Sequence, residues 1–467
     1  MDIKLKNLGI LRQAEFTLGD LTIICGGNNT GKTYATYALC GFLYLWQQEM
    51  PPFEISDDKI EQLLSEGVVT LDLNTYVEQA AQVLAQACQA YSQQLPKIFA
   101  APPERFKETV FEVIINTQDI SLNPKFEHRI STAEEELFFI SKSEDSTELV
   151  ITLLRENVKA SVNLNFLAEN LKIFIAGYLQ RIILKPLFPN PFIASAERTG
   201  AAIFRKELNF ARNRLLEEIS QTDLDMDPRI LLFKNYQNYA LPVEKNVEFT
   251  RNLETISKQR SFIAEHHPHI LTNFADLIGG EYTVTKDDAL YYVPNKGKRV
   301  KLSMDESSSA VRSLLDIGFY LKHEAKLGDL LIVDEPELNL HPENQRRVAR
   351  LFAQLVNLGI KVFITTHSDY IIKELNTLIM LNHDKPYLKR IAEEEGYKSE
   401  ELIEPEKIKV YIAQKASIKI DGNSRKTQCN TLVAANIDSE FGIDAPSFDI
   451  TIDTMNRIQE KIVWEDE

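Results

Sequence analysis

Cysteine is scarce in this 467-residue chain: there are four, at positions 25, 40, 88 and 429, with no C-x-x-C spacing among them. That argues against a cysteine-based metal site or a disulfide framework and fits thiols kept reduced in a cytoplasm. Excess positive charge is missing too. The chain has 52 Lys and Arg against 68 Asp and Glu, a net charge of −16, which excludes a generally basic nucleic-acid surface and leaves only a local basic groove open. Charges interrupt every apolar run before it reaches bilayer-spanning length, and Met1-Asp2-Ile3-Lys4 does not open a signal peptide. A cytoplasmic protein without membrane contact is expected. Heptads do not persist for three or four turns of the pattern, so no long coiled-coil arm is expected, and internal repeats and low-complexity segments are absent.

What the sequence does have is the loop Gly26-Gly27-Asn28-Asn29-Thr30-Gly31-Lys32-Thr33, which fits G-x-x-x-x-G-K-[ST]. The apolar run Leu21-Thr22-Ile23-Ile24-Cys25 before it reads as a buried strand, and residues 34–46 after it read as a helix. In that setting the glycines let consecutive N–H groups and the helix N-terminus face a β-phosphate, Lys32 adds a point charge, and Thr33 offers a hydroxyl to Mg²⁺. Binding of a nucleoside triphosphate is the expectation; the plain alternative is a Gly/Asn turn ahead of an ordinary helix.

Two further strands end in chemistry. Leu330-Leu331-Ile332-Val333-Asp334-Glu335 is an apolar run closing on two carboxylates, as in a buried parallel strand that delivers acids at its C-terminal edge. Asp334 is read as the Mg²⁺ ligand and Glu335 as the general base that polarises the attacking water. Lys361-Val362-Phe363-Ile364-Thr365-Thr366-His367-Ser368 repeats the layout one strand–helix unit later, and His367 is read as a γ-phosphate sensor rather than the neighbour of a helix cap. Between them, the loop of residues 336–342 enters a helix over 343–358 and suits contact with a second subunit; for His341 that role and a structural one stay equally open. Upstream, Ser307-Ser308-Ser309 precedes a helical stretch over 311–326. Capping is the plain reading of these serines, and an anion site for a γ-phosphate presented by another molecule is the functional one.

The rest of the chain gives coarser signals. The first twenty residues alternate as in an antiparallel meander. Residues 57–95 carry helical periodicity, 126–164 alternate as extended chain, 165–187 read as an amphipathic helix, and 201–280 look mostly helical and highly charged. A short apolar strand, Pro191-Phe192-Ile193-Ala194-Ser195, leads to Glu197-Arg198-Thr199-Gly200.

Taken in order, GGNNTGKT, ESSSAVRSL, LLIVDEPELNLHP and FITTHSD resemble the ABC-type ATPases of the SMC, Rad50 and RecF kind. The likeness is closer to the prokaryotic OLD-like and defence-associated ATPases, through Asp-Glu-Pro-Glu-x-x-Leu-His-Pro and Ser195-Ala196-Glu197-Arg198-Thr199-Gly200. The resemblance implies an α/β fold, an ABC-type P-loop ATPase domain with an N-terminal antiparallel meander and a large, mainly helical insertion. On that basis residues 1–50 form an N-terminal lobe with the P-loop, 51–125 a helical insertion, and 126–200 a β-rich region and helix of the ATPase domain. Residues 201–280 form a second helical insertion, 281–381 the C-terminal lobe, and 382–467 an α/β extension. ATP and Mg²⁺ are the implied cofactors. Homodimers or larger oligomers are also implied, in which ATP at the P-loop of one subunit meets Ser307, Ser308 and Ser309 of the next.

The chain departs from the family's L-S-G-G-Q signature, since Ala310 follows the serines without a glycine pair. Nor does a glutamine stand where the family senses Mg²⁺; Glu197 and Arg198 are open between that role and a structural one. After Leu381 the chain lacks the acid cluster of the TOPRIM nuclease fused in OLD proteins, so no nuclease of its own is expected. A lone ATPase of this size is similar to the ATPase subunits of two-protein anti-phage systems, AriA of PARIS and PtuA of Septu, as are Gly442-Ile443-Asp444 and residues 447–456. That implies a separately encoded nuclease or toxin effector, a phage-derived trigger protein, and slow hydrolysis used as a switch. The alternative is a RecF- or Rad50-like repair or chromosome-maintenance clamp on duplex DNA. A transporter ATPase subunit is a weaker third reading, because no membrane-coupling loop is recognisable.

Overall fold

The computed structural model describes residues 1–131, 136–154, 164–205, 239–285, 289–296, 300–420, 425–444 and 454–462. Part of the helical stretch expected over 201–280, namely 206–238, lies outside them, as do residues 447–453 of the tail. No helix among the described residues is long and apolar enough to cross a membrane. The chain forms two compact units, one of residues 1–4, 43–93 and 110–189, the other of residues 5–42, 94–109 and 190–467.

The first unit holds strands β4 (Val68–Asp72), β5 (Val110–Ile114), β6 (Phe126–Ser131), β7 (Glu136–Lys142) and β8 (Glu148–Leu153). Four of these make an antiparallel sheet in the order β4–β8–β7–β6. β4 interrupts the stretch read as continuously helical. The helix Asp57–Glu66 stops at Gly67, which takes a left-handed φ of 77°, and the β-branched Val68-Val69-Thr70 that follows pairs with β8. Asp72 then accepts the N–H of Asn74 and starts the helix Leu73–Ser92. The helix expected over 165–187 runs Leu164–Ile183.

The second unit is built on a mixed sheet. Its strands are β2 (Leu11–Thr17), β3 (Leu21–Cys25), β9 (Pro191–Ala194), β13 (Leu330–Asp334), β14 (Lys361–Thr366), β15 (Ile408–Lys419) and β16 (Lys426–Ala434), together with residues 5–8 of β1 (Asp2–Leu8), which lies beside β2. Only the two residues Gly9 and Ile10 join β1 to β2, a connection that requires an antiparallel pair. The order is β2–β16–β15–β3–β14–β13–β9, and β15, β3, β14, β13 and β9 pair in parallel. Every residue of β3 and β13 is buried, as befits parallel strands covered on both faces. The hairpin β15–β16 lies within this sheet, between β3 and β2. A small antiparallel sheet of β10 (Gly280–Val284), β11 (Leu290–Pro294) and β12 (Leu302–Ser303) completes the strands that matter to the site. The helix expected over 311–326 is instead segmented: Ser309–Ser313, Leu315–Phe319, and a π-helical turn Tyr320–Glu324.

Candidate active site

Because β3, β14 and β13 are adjacent and parallel, their carboxyl ends bring the P-loop, His367 and the paired acids to one edge. The loop's conformation depends on its glycines at two points. Gly26 has φ 136°, and a Cβ there would sit 2.5 Å from the Ala413 carbonyl oxygen of β15; Gly31 has φ 102°, and a Cβ there would meet Leu11 Cγ at 2.6 Å. Asn29 also takes a left-handed φ of 58°. Gly27, Asn28, Asn29 and Thr33 are exposed, and Thr30 donates its hydroxyl to Gly27 O at 2.9 Å. The helix Lys32–Glu49 starts at the loop's lysine.

Lys32 is folded back onto its own loop. Its Nζ donates to Gly26 O at 3.1 Å and Gly27 O at 2.8 Å, and lies 3.4 Å from Nδ1 of His367. Burial lowers its pKa, against the opposing pull of Glu335, Asp334 and Glu337. On the other side of the imidazole, Nε2 stands 3.1 Å from Glu335 Oε1. That contact holds the Glu335 carboxyl below its usual range. Glu335 itself has φ 52°, a left-handed conformation that costs a non-glycine residue on the order of 1–2 kcal/mol. Its N–H is satisfied by both the carbonyl and the hydroxyl of Thr365, each at 3.1 Å.

Asp334 is 2% exposed. Its Oδ1 accepts from the Thr365 hydroxyl, while Oδ2 is buried with no hydrogen-bond partner. Burial raises its pKa to about 6. A buried carboxylate oxygen without a donor fits a cation ligand, and Thr33, exposed, follows β3 at the same edge of the sheet, with β14 between. No cluster of three or more His, Cys, Asp or Glu among the described residues could hold a metal alone. Magnesium, which is bound by one or two protein oxygens plus substrate phosphates, does not need such a cluster.

Two more carboxylates stand at the edge: Glu337, which the sequence did not single out, and Glu197, whose role the sequence left open. Glu337 accepts the His367 backbone N–H at 2.5 Å through Oε1 and the Thr366 hydroxyl at 2.9 Å through Oε2. The clue was its place in Asp-Glu-Pro-Glu, two residues beyond the proposed base. Glu197, exposed after β9, accepts from the buried Tyr37 hydroxyl at 3.2 Å.

The serines are not joined to this cluster by any hydrogen bond among the described residues. Ser308 caps the helix Ser309–Ser313 by accepting the Val311 N–H at 3.3 Å, and Ser307 donates to Ser303 O at 2.7 Å. His341 likewise caps a helix, Pro342–Asn357, accepting the Glu343 N–H at 3.3 Å.

Solved SMC head domains are similar to the chain over most of its length. That of Thermotoga maritima is 10% identical, covers 93% of this chain and 98% of its own, and has a TM-score of 0.29. A head bound to the C-winged-helix domain of ScpA is 12% identical, with 92% and 97% covered and a TM-score of 0.32. A head with an extended coiled coil, bound to the C-terminal domain of ScpA derived from Pyrococcus furiosus, is 12% identical, with 98% of both chains covered and a TM-score of 0.30. No curated protein matches at a significant level. The AAA ATPase domain family, by contrast, matches residues 1–372, a span that takes in the P-loop, the serines, both acids and His367. With most of its length matched in this way, the chain belongs to the AAA ATPase domain family.

Proposed function

We propose that this chain is a Mg²⁺-dependent ATP hydrolase of the ABC type that works as a switch between copies of itself. The observation that carries the reading is the chain of contacts from Lys32 through His367 to Glu335 at the carboxyl ends of adjacent parallel strands. The loop N–H groups and Lys32 hold the β- and γ-phosphates, His367 senses the γ-phosphate, and Glu335 takes the proton of the attacking water. Thr33 and the partnerless Oδ2 of Asp334 hold Mg²⁺, which when bound neutralises charge on the phosphate oxygens. Ser307, Ser308 and Ser309 complete the site of a neighbouring copy. In the wider role, the hydrolysis cycle governs a separately encoded nuclease or toxin in anti-phage defence. The motif resemblance and the net charge of −16, which favours control of a protein over a grip on DNA, support that role.

Ser308→Asp separates the two readings of the serines, because aspartate caps a helix as well as serine does but sets a negative charge against any γ-phosphate. Turnover is expected with Mg²⁺ and not with EDTA, and Ser308→Asp and Lys32→Ala are each expected to be inactive. Their mixture should recover activity through one intact composite site per mixed dimer. Absence of Mg²⁺-dependent turnover in the wild type would refute the hydrolase; full turnover by Ser308→Asp alone would refute the shared site. Co-purification with the product of an adjoining gene tests the effector, and strong salt-sensitive binding to duplex DNA would favour the repair clamp instead.

A further inference from the structure

We propose that Arg198 is a positioning residue that ties Glu335 to the short helix carrying the serines, so that movement of that helix reaches the carboxylate through one guanidinium. The proposal rests on Glu335 being the base.

Arg198 is 0% exposed, and its side chain makes four hydrogen bonds, all to main-chain carbonyls. Nε donates to Ser313 O at 2.7 Å, Nη1 to Ser195 O at 2.8 Å and Asp334 O at 2.6 Å, and Nη2 to Glu335 O at 2.7 Å. One rigid plane therefore pins three elements: the end of β9, the end of the helix Ser309–Ser313, and the end of β13. Burying a cation costs several kcal/mol unless it is well compensated, and none of these four partners carries a formal charge. A role confined to packing would be met more cheaply by an apolar side chain.

The location says what the cation does. Its two Nη groups hold the carbonyls of Asp334 and Glu335, on either side of the Cα at which the backbone turns into its left-handed conformation. That turn aims the Glu335 carboxylate at His367. The opposite edge of the same guanidinium grips the last residue of the serine helix. Because the fork is planar, displacing Ser313 O tilts the plane and shifts the carbonyls of Asp334 and Glu335 together.

A second layer steadies Arg198 from behind. Asp316, fully buried, is the foremost opposing charge on the guanidinium. It accepts from Asn246 Nδ2 at 2.7 Å and the Thr250 hydroxyl at 3.2 Å, while Asn246 Oδ1 accepts from Ser195 Oγ at 2.9 Å. The helix Leu241–Arg251 thus braces two of the residues around Arg198, Ser195 and Asp316.

Arg198→Lys keeps the charge but not the fork. It should lower kcat by about 30-fold or more while the ATP dissociation constant stays within about threefold, the signature of a group that acts on the transition state alone. Combined with Glu335→Gln it should cost no more than about a further twofold, since its effect passes through that carboxylate. Wild-type kcat in Arg198→Lys, an equal loss of ATP affinity, or losses that multiply with those of Glu335→Gln would each overturn the relay. If Arg198→Lys does not fold, Asp316→Asn serves: kcat should fall severalfold with ATP affinity unchanged, and normal kcat would overturn the proposal. A wild type that does not hydrolyse ATP sinks the hydrolase reading itself, whereas an active wild type with an unaffected variant sinks only the relay.

Discussion

Nζ of Lys32 lies 3.4 Å from Nδ1 of His367, and because an ammonium has only protons to offer, that ring nitrogen must be the acceptor. The other nitrogen, Nε2, then carries the proton and donates to Glu335 Oε1 at 3.1 Å. With Gly26 O and Gly27 O taking its other two protons, Lys32 has no free donor for a phosphate. Nucleotide must first displace this latch.

Lys32→Ala is expected to abolish ATP binding, because nothing else in the loop supplies charge at the β- and γ-phosphates. His367→Ala should do the opposite to affinity: it removes one competing acceptor, so ATP should bind as tightly or more tightly while turnover slows. Calorimetric titration of both variants decides. Weaker ATP binding by His367→Ala would mean that what the histidine gives the γ-phosphate outweighs what the latch costs, and that the latch is not the barrier to binding.

Glu335→Gln should bind ATP normally and hydrolyse it about a hundredfold more slowly, the usual contribution of a positioned general base. Single-turnover hydrolysis with Mg²⁺ present measures this. Normal turnover would move the base to another residue, and loss of binding would make Glu335 part of the nucleotide cradle.

Burial raises the pKa of Glu337, with the His367 N–H and the Thr366 hydroxyl pulling it back. A carboxyl whose pKa is higher folded than unfolded stabilises the fold fully below its unfolded value, about 4.3, and that contribution is lost as pH rises through the folded value. The stability of the wild type relative to Glu337→Gln should therefore decline as pH rises from about 4 through the folded value. Urea midpoints taken across the carboxylate range test this. A difference that stays flat or grows with pH would show that the hydrogen bonds outweigh burial.

Cys25, Cys40 and Cys88 are buried, and burial pushes the thiols of Cys25 and Cys88 up to about 12 and that of Cys40 higher still. Cys429 is half-buried. Near pH 8 a thiol with pKa about 12 holds about one thiolate in ten thousand, so iodoacetamide should label Cys429 first in the folded protein and the other three only in denaturant. Rapid labelling of Cys25, which directly precedes the P-loop, would show that β3 opens in the native state.

The sequence made the central strands plain because buried parallel strands are unbroken apolar runs: β3 and β13 needed only their composition. β4 escaped notice because its five residues sit between two strongly periodic helices. β15 gave no sign of its central place, since its outer half alternates half-buried and exposed like any surface strand. Lys32, Glu335 and His367 were legible because each ends or follows such a run. Glu337 was not, because its partners, the His367 N–H and the Thr366 hydroxyl, lie 30 and 29 residues along the chain, and Arg198 could be read only as open between Mg²⁺ sensing and a structural role, because its partners are backbone carbonyls, of which spacing along the chain carries no trace. The segmented helix after the serines was hidden for the same reason: Tyr282 reaches from β10 to the Val311 carbonyl, a contact that no local pattern announces.

The placing of β15 has a consequence for the order of events during synthesis. β3 emerges early, yet both of its neighbours, β14 and β15, come more than three hundred residues later, and Gly26 packs its backbone against Ala413. The P-loop cannot take its final form on the ribosome until the β15–β16 hairpin has been made. Until then an apolar strand waits with both edges open, the condition under which nascent chains most depend on chaperones.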